Sequence, residues 1–243
     1  MDSIKKHVMV GMTSILNQAI ESKRCGTPIM EDKYIDIRLA DLKELEDETG
    51  IMLVNSPNCK LDMKSIICIR EINKDNLKEY KDISEIIEYS NNKEMVVYID
   101  IVGSDMIITY IDGLLASVQS NNVDVEKQIK LLNLPYKIKK DGVYTVKGKI
   151  SHTDKPTFYV NDILDGGSGN LRDDLNEAEE LFDIAPFWFT NNLNPAKLQS
   201  TIDYVIEYIM DDDLDCNGTV FKFAEKKFNN VLSSVGCYWS KSL

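Results

Sequence analysis

Two short stretches of the 243-residue sequence carry residue types that bind ions or phosphate. Residues 213–218 read DxDxNG and supply the carboxylate and amide oxygens that open a calcium-binding loop. Such loops end in a bidentate glutamate at the twelfth position, where this sequence has Ala224, with Glu225 one residue late. We therefore predict a solvated acidic turn before a strand and no metal site.

The glycine-rich residues 166–169 (GGSG) are the second stretch. A phosphate-binding loop of the P-loop type needs a Lys-Ser or Lys-Thr pair after its glycines, and this stretch has none. We predict a flexible turn there. The two histidines, His7 and His152, have no obvious serine or cysteine partner in the sequence, so we expect them to have structural roles.

The charge balance restricts the partners that the chain can bind. Lysine and arginine total 28 against 40 aspartates and glutamates, so the formal net charge is −12. The basic residues form no stripe, and we expect no strong unaided binding to DNA. No stretch reaches the roughly 20 apolar residues of a membrane helix. Five widely spaced cysteines without a CxxC pair argue against disulfides and zinc. We expect a cytoplasmic protein.

The apolar periodicity changes after about residue 62. Spacings of three and four residues predict helices over residues 3–23 and 31–49, the second ending at Gly50. Further along, β-branched runs alternate with turn signals, of which Asp112-Gly113 predicts a hairpin. We predict an α+β fold with mostly antiparallel sheets. Later strands are predicted over residues 65–70, 95–102, 106–111, 114–119, 143–151 and 218–223, and helices over 77–87, 172–182 and 196–210.

Several segments, in the same order, resemble the adenylation region of bacterial-type, NAD-dependent DNA ligases. Residues 28–36 (PIMEDKYID) align without a gap with the family's P-x-I-S-D-x-E-Y-D stretch. Leu42, Leu45 and Glu46 follow in the register of its leucine-and-acid helix, and residues 56–58 (SPN) stand at its S-P-T turn. Further matches are 96–103 (VVYIDIVG) to VVEPKIDG, 147–150 (KGKI) to RGEV, 166–172 (GGSGNLR) to AAAGSLR, 186–189 (PFWF) to the strand that follows, 216–223 (CNGTVFKF) to IDGVVIKV, and Trp239 to a late tryptophan.

The resemblance implies a nucleotidyltransferase (adenylation-domain) fold over residues 63–243, preceded by a helical cap subdomain over residues 1–62. In that family a lysine amine attacks the α-phosphorus of NAD and carries AMP as a phosphoramidate. Asp100 occupies the position of that nucleophile, and the acidic residue two positions later is Val102. The glutamate of RGEV is replaced by Lys149. These departures imply a retired active site with no catalytic residue.

Five residues stand at positions that contact the nucleotide in the family and are our nucleotide-binding candidates. Asp32 and Asp36 match the two aspartates that hold the nicotinamide nucleotide, although the family's aromatic pair upstream is replaced by Ser22 and Lys23. The other three candidates are Lys147, Arg172 and Lys222. Ordinary structural roles remain the alternative for each one. We expect no tightly held cofactor, and only weak binding of NAD or AMP.

The leading hypothesis is a catalytically inactive ligase-like protein that binds a protein partner of DNA replication or transcription machinery, or a nucleotide without turnover. The alternative is half of a split or diverged NAD-dependent DNA ligase, in which another lysine such as Lys222 or Lys149 supplies the amine. A second alternative is an acidic inhibitor that mimics DNA, which the net charge of −12 permits. Residue usage that suits a low-GC genome leads us to expect a bacteriophage protein in the host cytoplasm.

Overall fold

The computed structural model describes residues 3–60, 65–72, 78–79, 83–91, 93–121, 124–153, 155–190, 200, 204, 215–229 and 235–237. The helices are α1 (Ser3–Arg24), α2 (Asp32–Thr49), α3 (Ile83–Ser90), α4 (Val125–Leu131), α5 (Leu171–Ala178) and α6 (Lys226–Asn229). The strands are β1 (Met52–Leu53), β2 (Ile67–Ile69), β3 (Lys78–Glu79), β4 (Met95–Ile101), β5 (Gly103–Ile111), β6 (Leu114–Ser120), β7 (Pro135–Lys137), β8 (Val143–Ser151), β9 (Phe158–Asp165), β10 (Asp183–Ile184), β11 (Phe187–Thr190), β12 (Cys216–Phe223) and β13 (Val235–Cys237). Nearly all of the predicted helix over residues 196–210, and Trp239, lie outside the described residues.

The first two helices form where the apolar spacing predicted them. They pack against each other around a cluster that includes Met9, Leu16 and Leu42, which are at most 1% exposed. The second helix ends at Gly50, which adopts a left-handed conformation (φ +71°) and donates its N–H to the Glu46 carbonyl at 2.9 Å. The chain then enters β1, which pairs with β7 and so joins the helical pair to the first sheet.

A buried carboxylate fixes the turn that follows α2. The Glu46 side chain, 3% exposed, accepts hydrogen bonds from Ser56 Oγ at 2.5 Å and Asn58 Nδ2 at 3.0 Å. Asn58 Nδ2 also reaches the Leu39 carbonyl oxygen at 3.3 Å. The acid of the second helix and the SPN turn, which are separate motifs in the sequence, are therefore one hydrogen-bonded unit.

The first sheet has eight strands in the order β1-β7-β6-β5-β8-β9-β10, with β2 beside β6. Its long pairs are antiparallel, and β5 and β6 form the predicted hairpin. Asp112 and Gly113 both have positive φ angles, +47° and +77°. A Cβ on Gly113 would lie 2.3 Å from the Ile138 carbonyl oxygen, so only glycine fits this turn.

The second sheet has five strands in the order β11-β4-β12-β13-β3. One face of β4 and β12 packs on α3 through Met95, Val97 and Phe221, all fully buried. The other face is turned to the first sheet, because Val96 belongs to the core cluster of that sheet. All seven residues of β4 are buried, as expected for a strand covered on both faces.

The predicted α+β fold with mostly antiparallel sheets is confirmed, with local corrections. Residues 103–105, predicted to separate two strands, are the first residues of β5. The helix predicted over residues 172–182 ends at Ala178. Neither β9 nor α4 was predicted, and β9 contributes Asp162 to the site.

The proposed boundary at residue 62 lies outside the described residues, so the division into two domains remains a prediction. Among the described helices, none has the length and apolar character to cross a membrane.

We expect Glu46→Ala to lower the free energy of unfolding by about 3 kcal/mol, because it leaves the Ser56 hydroxyl and the Asn58 amide buried without their acceptor. Urea denaturation monitored by circular dichroism measures the change. Glu48→Ala is the matched control, since Glu48 pairs with Lys5 at the surface, where an ion pair contributes under about 1 kcal/mol. Equal losses for the two variants would contradict the structural role of Glu46.

Candidate functional site

The candidate site is the space between the two sheets, which we call the cleft. In the second sheet Asp100 lies opposite Gly218, and Lys222 lies opposite Val96. Directly opposite residues of an antiparallel pair share a face. Asp100 and Lys222 are therefore both on the face that is turned to the first sheet, and both are buried, at 7% and 6% exposure.

Strand β8 supplies two lysines to the cleft from the first sheet. Lys147 and Lys149 are two positions apart, so their side chains leave the same face of the strand. Lys147 is 8% exposed and lies opposite Asp162 of β9 in the strand register. A bulge in β9 places both Asn161 and Asp162 against Lys147.

Asp100, which the ligase resemblance places at the nucleophile position, is held by partners from two other strands. Lys149 Nζ lies 2.5 Å from its Oδ1, and Asn217 Nδ2 donates to its Oδ2 at 3.1 Å. Both carboxylate oxygens are thus occupied by donors. Asn217, which sequence reasoning assigned to an acidic turn, is a ligand of this carboxylate instead.

A second group of charges surrounds Asp162. Lys222 Nζ lies 2.8 Å from Asp162 Oδ2, and Lys226 Nζ lies 3.7 Å from Asp162 Oδ1. Lys226 also pairs with Asp174 Oδ2 at 2.5 Å and donates to the Ile163 carbonyl oxygen. Lys222, a predicted nucleotide contact, therefore has a carboxylate on its amine. Asp162 was not predicted, because residues 158–164 (FYVNDIL) do not alternate between apolar and polar side chains and so give no clear strand signal.

Arg172 is likewise engaged by neighbouring groups. Its guanidinium pairs with Glu94 at 3.0 Å and with Asp173 at 3.4 Å, and it stacks over the Phe189 ring at 4.7 Å from the centroid. Glu94 precedes β4 directly, so Arg172 joins α5 to the start of that strand. Of the predicted nucleotide contacts, Lys147 and Lys222 therefore both lie next to Asp162. The described contacts of Arg172 are with Glu94, Asp173 and Phe189.

The glycine-rich loop is fixed, which corrects the prediction of a flexible turn. Ser168 donates its N–H and its hydroxyl to Asp174 Oδ1, at 2.5 and 2.8 Å. A Cβ on Gly167 would lie 2.4 Å from Asp174 Oδ2, so glycine is needed for this approach. Asn170 Oδ1 accepts from the Arg172 and Asp173 N–H groups and caps α5. Because these donors already have acceptors, the loop does not present them to a phosphate.

Asp32 and Asp36 lie apart from these residues in a cavity of about 510 Å³ between α1 and α2. All of its lining residues come from these two helices: Ile20, Lys23, Arg24, Asp32, Ile35 and Asp36. Lys23, which replaces one of the family's aromatic residues, pairs with Asp32 at 2.7 Å. The cavity therefore carries balanced charges where the family has two acids under an aromatic clamp.

His152 has a serine partner that the sequence did not reveal. Its Nε2 lies 3.0 Å from Ser104 Oγ at the exposed end of β5. A nucleophilic serine also needs a group that orients the imidazole and donors that stabilise an oxyanion. The contacts described for His152 comprise Ser104 alone.

Metal and thiol chemistry are not indicated by the described residues. They contain no group of three or more histidine, cysteine, aspartate or glutamate side chains that could hold a metal ion. Asp213, the first position of the DxDxNG stretch, lies outside them. Among the described cysteines, Cys25, Cys59, Cys68 and Cys216 form no disulfide.

Comparison with known proteins gives a ligase relationship. No protein-family model matches the sequence. A DNA ligase of Lachnoclostridium phytofermentans is 26% identical over 159 residues, which cover 60% of this chain and 24% of the ligase. The matched segment is thus about a quarter of that protein. In structure, the Naegleria gruberi RNA ligase with PPi has a TM-score of 0.41 at 14% identity, covering 80% of this chain and 64% of its own. A lysine-to-alanine variant of that RNA ligase with ATP and Mn has a TM-score of 0.40 at 14% identity, covering 69% and 56%.

We expect Asp100 and Lys149 to be energetically coupled. Lys149→Met leaves the buried Asp100 carboxylate without its cation and should lower the free energy of unfolding by about 3–5 kcal/mol. The double variant Lys149→Met/Asp100→Leu should recover most of this loss, because it removes both charges. A double-mutant cycle from urea denaturation measures the coupling, and additivity within about 0.5 kcal/mol would show that the two side chains act independently.

Proposed function

We propose that this chain is a ligase-like protein with a nucleotidyltransferase-type fold that works by binding and does not transfer AMP. The observation that carries the proposal is the state of Asp100. A buried carboxylate with a lysine and an asparagine on its two oxygens stands at the position that the ligase resemblance assigns to the nucleophile. Its negative charge opposes attack on a phosphate, and its hydrogen bonds hold it in place.

The partner that we propose is a protein of DNA replication or transcription machinery. Ile4, Val8 and Ile15 lie on one side of α1 and are 47–69% exposed. Tyr34 and Ile37 of α2 are also half exposed, at 50% and 54%. Clustered exposed apolar side chains are typical of protein interaction surfaces, whereas the net charge of −12 opposes binding to DNA.

One observation favours a second candidate function, a diverged nucleotidyltransferase. The Lys149 amine lies 2.5 Å from Asp100 Oδ1 and so reaches the nucleophile's location from the opposite sheet. A lysine can serve as a nucleophile when its amine is neutral. Here the amine is an ion-pair partner, which is why we place this candidate second.

We expect no covalent AMP on the protein. After incubation with NAD, or with ATP and magnesium, the intact mass should show no gain of one AMP group. Asp100→Lys/Val102→Asp should also remain unmodified, because the aromatic pair that the ligase resemblance places upstream of Asp32 is still replaced by Ser22 and Lys23.

Lys149→Ala and Lys222→Ala identify the amine if an adduct does appear. An adduct on the unchanged protein that Lys149→Ala abolishes would overturn the first proposal and establish the second. An adduct abolished only by Lys222→Ala would overturn the first proposal and assign the amine of the second candidate to Lys222 in place of Lys149.

Nucleotide binding should be weak and should improve when Asp100 loses its charge. At a separation of about 4 Å and an effective dielectric constant of about 20, the repulsion between Asp100 and a phosphate reaches roughly 4 kcal/mol. Pairing with Lys149 offsets part of it. We therefore expect Asp100→Asn to tighten AMP binding by between about tenfold and about a thousandfold in isothermal titration calorimetry.

The gain should depend on the lysine that the substitution releases. Asp100→Asn/Lys149→Gln should return AMP binding to the level of the unchanged protein. Submicromolar binding of NAD or AMP by the unchanged protein would show that Asp100 does not oppose the phosphate.

A further inference from the structure

Two lysines converge on one carboxylate in the cleft. Lys222 from β12 and Lys226 from α6 approach the two oxygens of Asp162 at 2.8 and 3.7 Å. The Lys222 side chain is 6% exposed and those of Asp162 and Lys226 are 16% and 21% exposed, so the group is mostly shielded from water. Two ammonium groups directed at two oxygens of one anion is also the arrangement that a phosphate group requires.

The two acids of this group are held to different degrees. Asp174 is 1% exposed, and besides Lys226 it accepts two hydrogen bonds from Ser168 and lies against Gly167. It is built into the glycine-rich loop. The contacts described for Asp162 are both with lysines. Asp162 is therefore the carboxylate that an incoming anion could replace while the loop stays intact.

We propose that Asp162 is an internal anion that masks a binding site for a phosphate-bearing ligand, formed by Lys222 and Lys226. The proposal rests on the proposed function, in that it concerns a cleft that binds without transferring AMP. With Asp162 charged, the carboxylates of Asp162 and Asp174 engage both lysines, so a further anion has to displace Asp162. With Asp162 neutral, the group carries one net positive charge, and Lys222 loses its described counter-ion.

Position in the fold supports the same assignment. Asp162 belongs to the bulge of β9, where two residues lie opposite Lys147. Bulges redirect side chains next to sites, and this one directs a carboxylate across the cleft to β12. Lys147, 8% exposed, adds a third ammonium on the same side of the sheet. A phosphate at the position of the Asp162 carboxylate would thus meet lysines from both sheets.

The experiment compares pyrophosphate binding to the full chain and to Asp162→Asn by isothermal titration calorimetry. We expect Asp162→Asn to bind pyrophosphate at least about tenfold more tightly than the unchanged protein, because charge-assisted contacts from two lysines are restored. AMP should gain in the same direction, and adenosine, which has no phosphate, should gain nothing. Asp165→Asn is the matched control, since Asp165 is an exposed aspartate at the end of the same strand.

Two further variants assign the effect to the lysines. Asp162→Asn/Lys222→Gln and Asp162→Asn/Lys226→Gln should both lose the gain. Because Asp162→Asn leaves a buried lysine without its carboxylate, its melting temperature should fall, and pyrophosphate should raise it more than it raises that of the unchanged protein.

The proposal is overturned if folded Asp162→Asn binds pyrophosphate no more tightly than the unchanged protein. It is also overturned if the unchanged protein already binds pyrophosphate as tightly through Lys222. Either result leaves the intact-mass assay for AMP unaffected, so failure of the mask and failure of the proposed function are distinguishable.

Discussion

Charged side chains enclosed between two sheets must meet an opposite charge, and this requirement organises the whole cleft. Asp100, Lys147, Lys222 and Asp174 are all below 9% exposure. An unpaired ion in such a place lowers the stability of the fold by several kcal/mol. The same loss is expected when one partner of a buried pair is removed. The pairs also cross between elements: Asp100 of β4 meets Lys149 of β8, and Lys222 of β12 meets Asp162 of β9. The ion pairs therefore connect the two sheets across the cleft.

The need to pair buried charges connects two of the departures from the ligase sequence pattern. The ligase resemblance places Asp100 at the nucleophilic lysine and Lys149 at the glutamate of RGEV. In the sequence these are two separate departures from the pattern. In the structure these two residues form one ion pair, because Lys149 Nζ and Asp100 Oδ1 are 2.5 Å apart. The residues that the resemblance assigns to these two positions, a lysine on β4 and a glutamate on β8, would carry the same net charge with the opposite polarity. Two of the departures, Asp100 and Lys149, therefore neutralise each other.

Much of the fold follows from periodicity and turn chemistry alone. The two N-terminal helices, the hairpin at Asp112-Gly113 and strand β8 have strong local signals, and all appear where the sequence predicts them. The site depends on what local signals omit. Strand β9 contains a bulge that breaks the regular alternation of side chains between its two faces at residues 161–162. Its Asp162 becomes a candidate site residue only because it pairs with Lys222, which is 60 residues away in the chain. Long-range pairing of this kind is set by sheet order, which the sequence does not display.

The strengths of the ion pairs decide where a charged ligand would meet resistance. In the helical cavity Asp32 pairs with Lys23 at the surface, with both side chains more than half exposed, so this pair contributes at most about 1 kcal/mol and a ligand loses little by displacing it. In the cleft the counter-ions are buried, and a nucleotide must replace Asp100 on Lys149 and Asp162 on Lys222, two contacts on separate strands. Because these two contacts are at separate sites, the free-energy costs of displacing them add. A nucleotide phosphate therefore competes with two internal carboxylates at once. The protein partner that we propose would contact the exposed apolar side of α1 and so would compete with neither carboxylate.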